Sequence, residues 1–117
     1  MQANGLYSAI NERGNPMAIS YSVSADGEAL TISVDGRFDF SSHQEFRRAY
    51  EDQPVVAKTY TVDLQATSYL DSSALGMLLL LKDFAGGDEA VVNIINCNSD
   101  VKKILSISNF EQLFSIS

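Results

Sequence analysis

Between residues 17 and 34 apolar and polar positions alternate. Ile19, Tyr21 and Val23 fall on one face and Ser20, Ser22 and Ser24 on the other, the period of a half-buried strand. Asp26-Gly27 is a hairpin signal, and "ALTISV" (Ala29 to Val34) resumes the alternation, so two antiparallel strands are predicted. In "GRFDFSSHQEF", Ser42 and Glu45 have the spacing of a capping box. Phe46, Ala49 and Tyr50 then give the inward stripe of a first helix that Pro54 closes. "KTYTVDLQA" is a third strand, rich in β-branched and aromatic residues. Asp71 to Phe84 reads as a second helix, ended by Gly86-Gly87. "AVVNIINC" is a nearly continuous apolar strand, the kind found inside a parallel sheet. Ser99 or Asp100 caps a third helix, with Val101, Ile104 and Leu105 inward and Asn109 as a left-handed stop. Phe110, Leu113 and Phe114 form a last amphipathic piece.

Residues 1–16 show no sustained period and end in Gly14-Asn15-Pro16, so they are expected to be a flexible leader ahead of one domain at 17–117. The order ββαβαβα predicts an α/β fold with right-handed crossovers and helices packed on a mixed sheet. A chain of 117 residues is one domain by length and needs no disulfide or metal staple.

Charge and residue counts narrow the chemistry. Eight basic against fifteen acidic residues leave a net charge of −7, a surface that repels nucleic-acid phosphates and anionic lipid heads. Arg47-Arg48 and Lys102-Lys103 are isolated pairs, so no direct nucleic-acid partner is expected. Cys97 is the one cysteine and His43 the one histidine, which leaves no intrachain disulfide and no zinc cluster. Cys97 follows an apolar run and is expected to pack as a small hydrophobe. Ala74 to Leu81 is far shorter than the roughly 20 apolar residues of a membrane helix, and no secretory signal opens the chain, so a cytoplasmic location without membrane insertion is expected.

One stretch stands out: "SYLDSSALGMLLLL", residues 68–81, sets an acid and two serines directly ahead of an apolar helix. Asp71, Ser72 and Ser73 are all good cap residues, and capping would account for one of them. A nucleophilic serine would need a base, yet His43 lies in a different helix and "LDSSALG" lacks the G-x-S-x-G elbow. No phosphate loop of the G-x-x-x-x-G-K-[ST] type occurs either, so an enzyme is not expected and no cofactor is implied. A modification switch fits better. A phosphoserine adds about −1.5 to −2 charges, and a helix start is where the fold tolerates them best.

"VDLQATSYLDSSALGMLLLL" resembles the central motif of STAS domains, specifically the single-domain bacterial anti-sigma factor antagonists: an apolar strand, then D-S-S-[AG]-L-G opening a helix. "GRFDF" resembles the family's G-x-x-D loop, carrying Asp39, and "NCNSDVKKILSISNFEQLFSI" resembles its C-terminal stretch. The likeness runs from about Met17 to Ile116 and implies a STAS-type mixed sheet of four to five strands with three to four helices packed on it.

The resemblance implies a partner-switching regulator. Unphosphorylated, such a protein binds an anti-sigma factor that is also a serine kinase of the histidine-kinase-like ATPase fold, freeing the sigma factor for transcription. The kinase phosphorylates the second serine of the motif, here Ser73, and a metal-dependent serine phosphatase reverses it. Asp39, Asp71, Ser72, Ala74 and Met77 are then expected to shape the acceptor loop and the binding surface. Many relatives have glycine where Ala74 stands; alanine is nearly as small and a better helix former. Met77, Leu80 and Phe84 fall on the Ser73 side of the helix, as core or as a partner or homodimer surface. Two alternatives remain open: an accessory subunit stabilising the ATPase of a lipid-transporting ABC complex, and a STAS switch with a non-sigma output such as biofilm control.

Overall fold

The computed structural model describes residues 6–10, 16–53, 57–87 and 91–117. In the hairpin, β2 (Pro16–Val23) and β3 (Ala29–Val34) pair antiparallel as their alternation predicts, with Tyr21 opposite Ile32. Gly27 takes the positive φ of 75° that the turn between them requires. From β3 the sheet continues in parallel through β5 (Thr59–Asp63), β7 (Val91–Ile95) and β8 (Ser115–Ile116). On its other side β2 pairs antiparallel with β1 (Leu6–Ile10), giving the order β1-β2-β3-β5-β7-β8.

That edge strand falls within residues 1–16, the expected leader, and β2 begins at Pro16, one residue before the expected domain start. "LYSAI" has no clean alternation to betray a strand; its place comes from main-chain pairing with β2. The expected mixed α/β sheet with three helices is present; among the described residues β1 and the two-residue β8 extend its edges to six strands. Gly14-Asn15 and Pro54, expected as a turn and a helix stop, lie outside the described residues.

One face of the sheet is apolar and covered by α1 (His43–Glu51), α2 (Ser72–Ala85) and α3 (Ser99–Ile107). Leu30, Ile32, Val34, Tyr60, Val62, Val92 and Ile94 of the strands join Phe46, Met77, Leu78, Leu81, Val101 and Leu105 of the helices in a single core. The alternate strand positions, among them Thr31, Ser33, Thr61 and Asn93, are half-buried on the other face. The stripes read from the sequence for α1 and α3 therefore point where the periodicity puts them, although Ile104 is only partly buried; of Met77, Leu80 and Phe84 on α2, only Met77 is buried.

The helix ends differ in detail. Ser42 does not form a capping box with Glu45: a short 3-10 turn (Phe40–Ser42) precedes α1, so Ser42 is already helical. Its hydroxyl instead donates to the carbonyl of Arg37 at 3.1 Å. Asn98, rather than Ser99 or Asp100, caps α3, its side chain accepting from the N–H of Val101 at 2.9 Å. Asn109 adopts the expected left-handed conformation, with φ 61°.

Candidate functional site: the start of helix α2

The predicted third strand does not run straight into α2. After β5 the chain turns at Leu64–Ala66 and makes a second short strand, β6 (Thr67–Leu70). It pairs in parallel with β4 (Gly36–Phe38), forming a separate two-stranded sheet with Arg37 opposite Tyr69 and Phe38 opposite Leu70. Strands of three and four residues are too short for alternation to announce them. Two bonds fix β6 to the main body. The buried Thr67 hydroxyl donates to the carbonyl of Val34 at 2.8 Å, and the Asn98 amide donates to the carbonyl of Thr67 at 3.1 Å.

Where this small ladder ends, α2 begins. The N–H of Asp71 donates to the carbonyl of Phe38 at 3.4 Å, so Asp39 and Asp71 leave the two strands side by side. Asp71 is extended, and its carboxylate accepts from the N–H of Ala74 at 3.0 Å. It is therefore Asp71 that caps the helix. Ser72 is exposed and Ser73 half-buried, and among the described residues neither hydroxyl has a hydrogen-bond partner. Asp39 caps the neighbouring 3-10 turn, accepting from the N–H of Ser41 at 3.0 Å and from its hydroxyl. These bonds from Ser41, with one from Arg37 at 3.1 Å, hold the Asp39 carboxyl below its ordinary pKa.

The sequence is similar to a known family. Its residues 21–115 match the family model described as "Mlab, STAS domain". The chain belongs to the STAS domain family. A STAS-domain containing protein of Pseudomonas aeruginosa (strain UCBPP-PA14) is 59% identical over 101 residues, which are 86% of this chain and 100% of that protein. Among solved structures, an anti-sigma factor antagonist from Mycobacterium paratuberculosis superposes with a TM-score of 0.63 at 19% identity, covering 86% of each chain. The anti-sigma factor antagonist SpoIIAA in its unphosphorylated form does so with a TM-score of 0.57 at 13% identity, covering 97% of this chain and 87% of that one. The mixed α/β fold is thus shared with anti-sigma factor antagonists of the STAS type.

Against that fold, the expected site residues divide in two. Asp39, Asp71, Ser72 and Ser73 come together at the surface. Ala74 and Met77 do not join them: they are 0% and 3% exposed and belong to the core. Helical spacing turns Ser72, Gly76, Leu79, Leu80 and Asp83 outward instead, and all five are exposed. Leu79 and Leu80, with the 38% exposed Phe84, make an apolar row that continues from the serine pair along α2.

Three neighbours escaped the sequence reading. Phe40 is 74% exposed and stacks on His43, with ring centroids 6.0 Å apart. Tyr69 is 46% exposed and lies under the Arg37 guanidinium, 4.8 Å from ring centre to carbon. Only the two-residue spacings Arg37/Asp39 and Tyr69/Asp71 hint at a shared face in sequence. Among the described residues no group of three or more His, Cys, Asp or Glu side chains could hold a metal ion. No helix among them is long and apolar enough to cross a membrane. Burial pushes the Cys97 thiol pKa up, which keeps it protonated and poorly nucleophilic.

Proposed function

We propose that this STAS domain is a cytoplasmic, phosphorylation-controlled partner switch with no catalytic activity of its own. Unphosphorylated, it binds an anti-sigma factor that is also a serine kinase of the histidine-kinase-like ATPase fold, and so releases a sigma factor for transcription. The kinase transfers the γ-phosphoryl group of ATP to a serine oxygen of the D-S-S motif, ADP leaves, and the hydroxyl proton passes to a base of the kinase. A metal-dependent serine phosphatase returns the hydroxyl by directing water onto the phosphorus, releasing inorganic phosphate. The resemblance assigns the acceptor to Ser73; the greater exposure of Ser72 makes it the alternative acceptor within the same pair.

The observation that carries this reading is the division of labour at the start of α2. Asp71 performs the capping, so the two adjacent hydroxyls are left without a structural duty at a solvent-facing helix start. Extra negative charge there opposes no fold requirement, since anions near a helix N-terminus are favoured. It does alter the surface that runs on through Leu79 and Leu80.

The test is intact-mass and peptide mass spectrometry of the protein from its own cells. Phosphate on Ser73 or Ser72 supports the switch. Unmodified serines through growth, starvation and stress would sink it. The exposed Leu79, Leu80 and Phe84 also suit a permanent contact, which favours a second reading: a subunit that stabilises the ATPase of a lipid-transporting ABC complex. Co-purification with a transporter ATPase, independent of the serines, would select that reading.

A further inference from the structure

Resting on the phosphoserine reading, we propose that Arg37 is the internal counter-charge for that phosphate monoester: it moves from Asp39 onto the modified serine and is thereby withdrawn from the partner-facing surface.

Position comes first. Arg37 and Tyr69 are directly opposed in the parallel β4–β6 ladder, and both strands run toward the start of α2. At about 3.3 Å per residue, Ser72 lies roughly 10 Å beyond Tyr69 along the strand direction, a span that a long guanidinium side chain from the adjacent strand can largely bridge. Arg37 already leans that way, because its Nε contacts Asp39, the residue level with Asp71. Among residues 36–39 and 67–75 it is the only cation, standing beside Asp39 and Asp71.

Availability comes second. The Arg37 side chain is 69% exposed, and its ion pair with Asp39 is made through Nε at 3.1 Å. Among the described residues its two terminal nitrogens have no protein partner. An exposed pair of this kind is weak and readily exchanged. A dianionic phosphate offers three acceptor oxygens and can take the two terminal N–H groups of the fork together. Tyr69 lies under the guanidinium and holds it over the β4–β6 ladder, on the side facing Asp39 and Asp71. The phosphate would then neutralise the nearest cation as well as adding negative charge, so a partner loses two features of the unmodified surface at once.

The experiment installs phosphoserine genetically at position 72 in one protein and at position 73 in another, with no kinase involved. The second ionisation of each phosphate is followed by phosphorus NMR, with and without Arg37→Gln. An ordinary phosphoserine ionises near pH 6. At one of the two positions the wild-type background should lower that value, by about half a pH unit or more. Arg37→Gln should raise it again by that amount, leaving only what the helix start contributes, Arg37→Lys should restore part of the lowering, and high salt should shrink it. Because Arg37 is mostly exposed, an unchanged amide fingerprint will show that the variants fold. Identical titrations with and without Arg37 at both positions would overturn the proposal. If the titrations differ but cells never phosphorylate the protein, the switch reading fails and the charge pairing stands. If they do not differ but phosphate still expels the partner, the pairing alone fails.

Discussion

The Thr67 hydroxyl donates to the Val34 carbonyl at 2.8 Å, joining residues 33 apart in the chain. Thr67 is 2% exposed, so no water can substitute. This bond ties the last residue of β3 to the first of β6 and thereby places Tyr69, Leu70 and Asp71. Thr67→Val keeps the shape but leaves a buried carbonyl without its donor, at a cost of about 1–3 kcal/mol. Thr67→Ser should lose less, roughly the 0.8 kcal/mol of one buried methyl. Urea denaturation of the three proteins checks the order; a valine variant as stable as wild type would show that the bond does not hold the site.

Capping separates the acid from the hydroxyls. Asp71→Ala removes the acceptor for the Ala74 N–H and should cost about 1 kcal/mol. Ser72→Ala and Ser73→Ala should each stay within about 0.5 kcal/mol of wild type. A serine variant that lost as much as Asp71→Ala would mean that a hydroxyl shares the capping and is not free for modification.

Charge at the motif is the next lever. Ser73→Asp should fold as well as wild type, an acid in a first helical turn being favourable by about 0.3–1 kcal/mol, yet bind the proposed anti-sigma partner more weakly. Ser73→Ala should bind it constitutively. Titration calorimetry against the purified partner measures both; equal affinities for the two variants would remove Ser73 from the switch and leave Ser72 to be tested in the same way.

Along α2, adjacent leucines should behave oppositely. Leu78 and Leu81 are 0% exposed, and Leu78→Ala should cost about 2–5 kcal/mol in stability. Leu80 is 51% exposed, and Leu80→Ala should change stability little while weakening partner binding. Denaturation and binding measured on the same pair of variants separate core from contact surface.

The Asp39 loop carries a pH signature. Its folded pKa is depressed, so the stability it contributes is complete above the ordinary unfolded value of about 3.9 and is lost as pH falls through the lower folded value. The Phe40 turn should therefore stay intact down to pH 4 and loosen below it. Carboxyl-carbon NMR of Asp39, with Phe40 ring shifts followed alongside, reads this; an Asp39 that titrated at or above its ordinary value would contradict the hydrogen bonds described here.

How much of this could be read in advance follows from element length and from what each signal depends on. Helix α1 and strand β3 announce themselves because Phe46/Ala49/Tyr50 and Leu30/Ile32/Val34 repeat often enough to fix a period, whereas the five residues of β1 lack that alternation. β4 and β6 hold three and four residues, and their pairing joins Gly36 to Thr67, a relationship no local pattern contains. The serine pair was visible as chemistry, but which of Asp71, Ser72 and Ser73 does the capping is decided by the extended backbone at Asp71. The burial of Ala74 and Met77 has a related reason. A helix apolar on nearly every side does not say which side faces in, and the sheet beneath it settles the choice.

That Asp71 alone closes the start of α2 has a practical side. If charge comes and goes at the neighbouring serines without touching the cap, both forms stay folded and differ in melting temperature by a few degrees at most. A thermal-shift screen then separates them poorly, whereas ion exchange or a native gel, which sort by charge, resolves two.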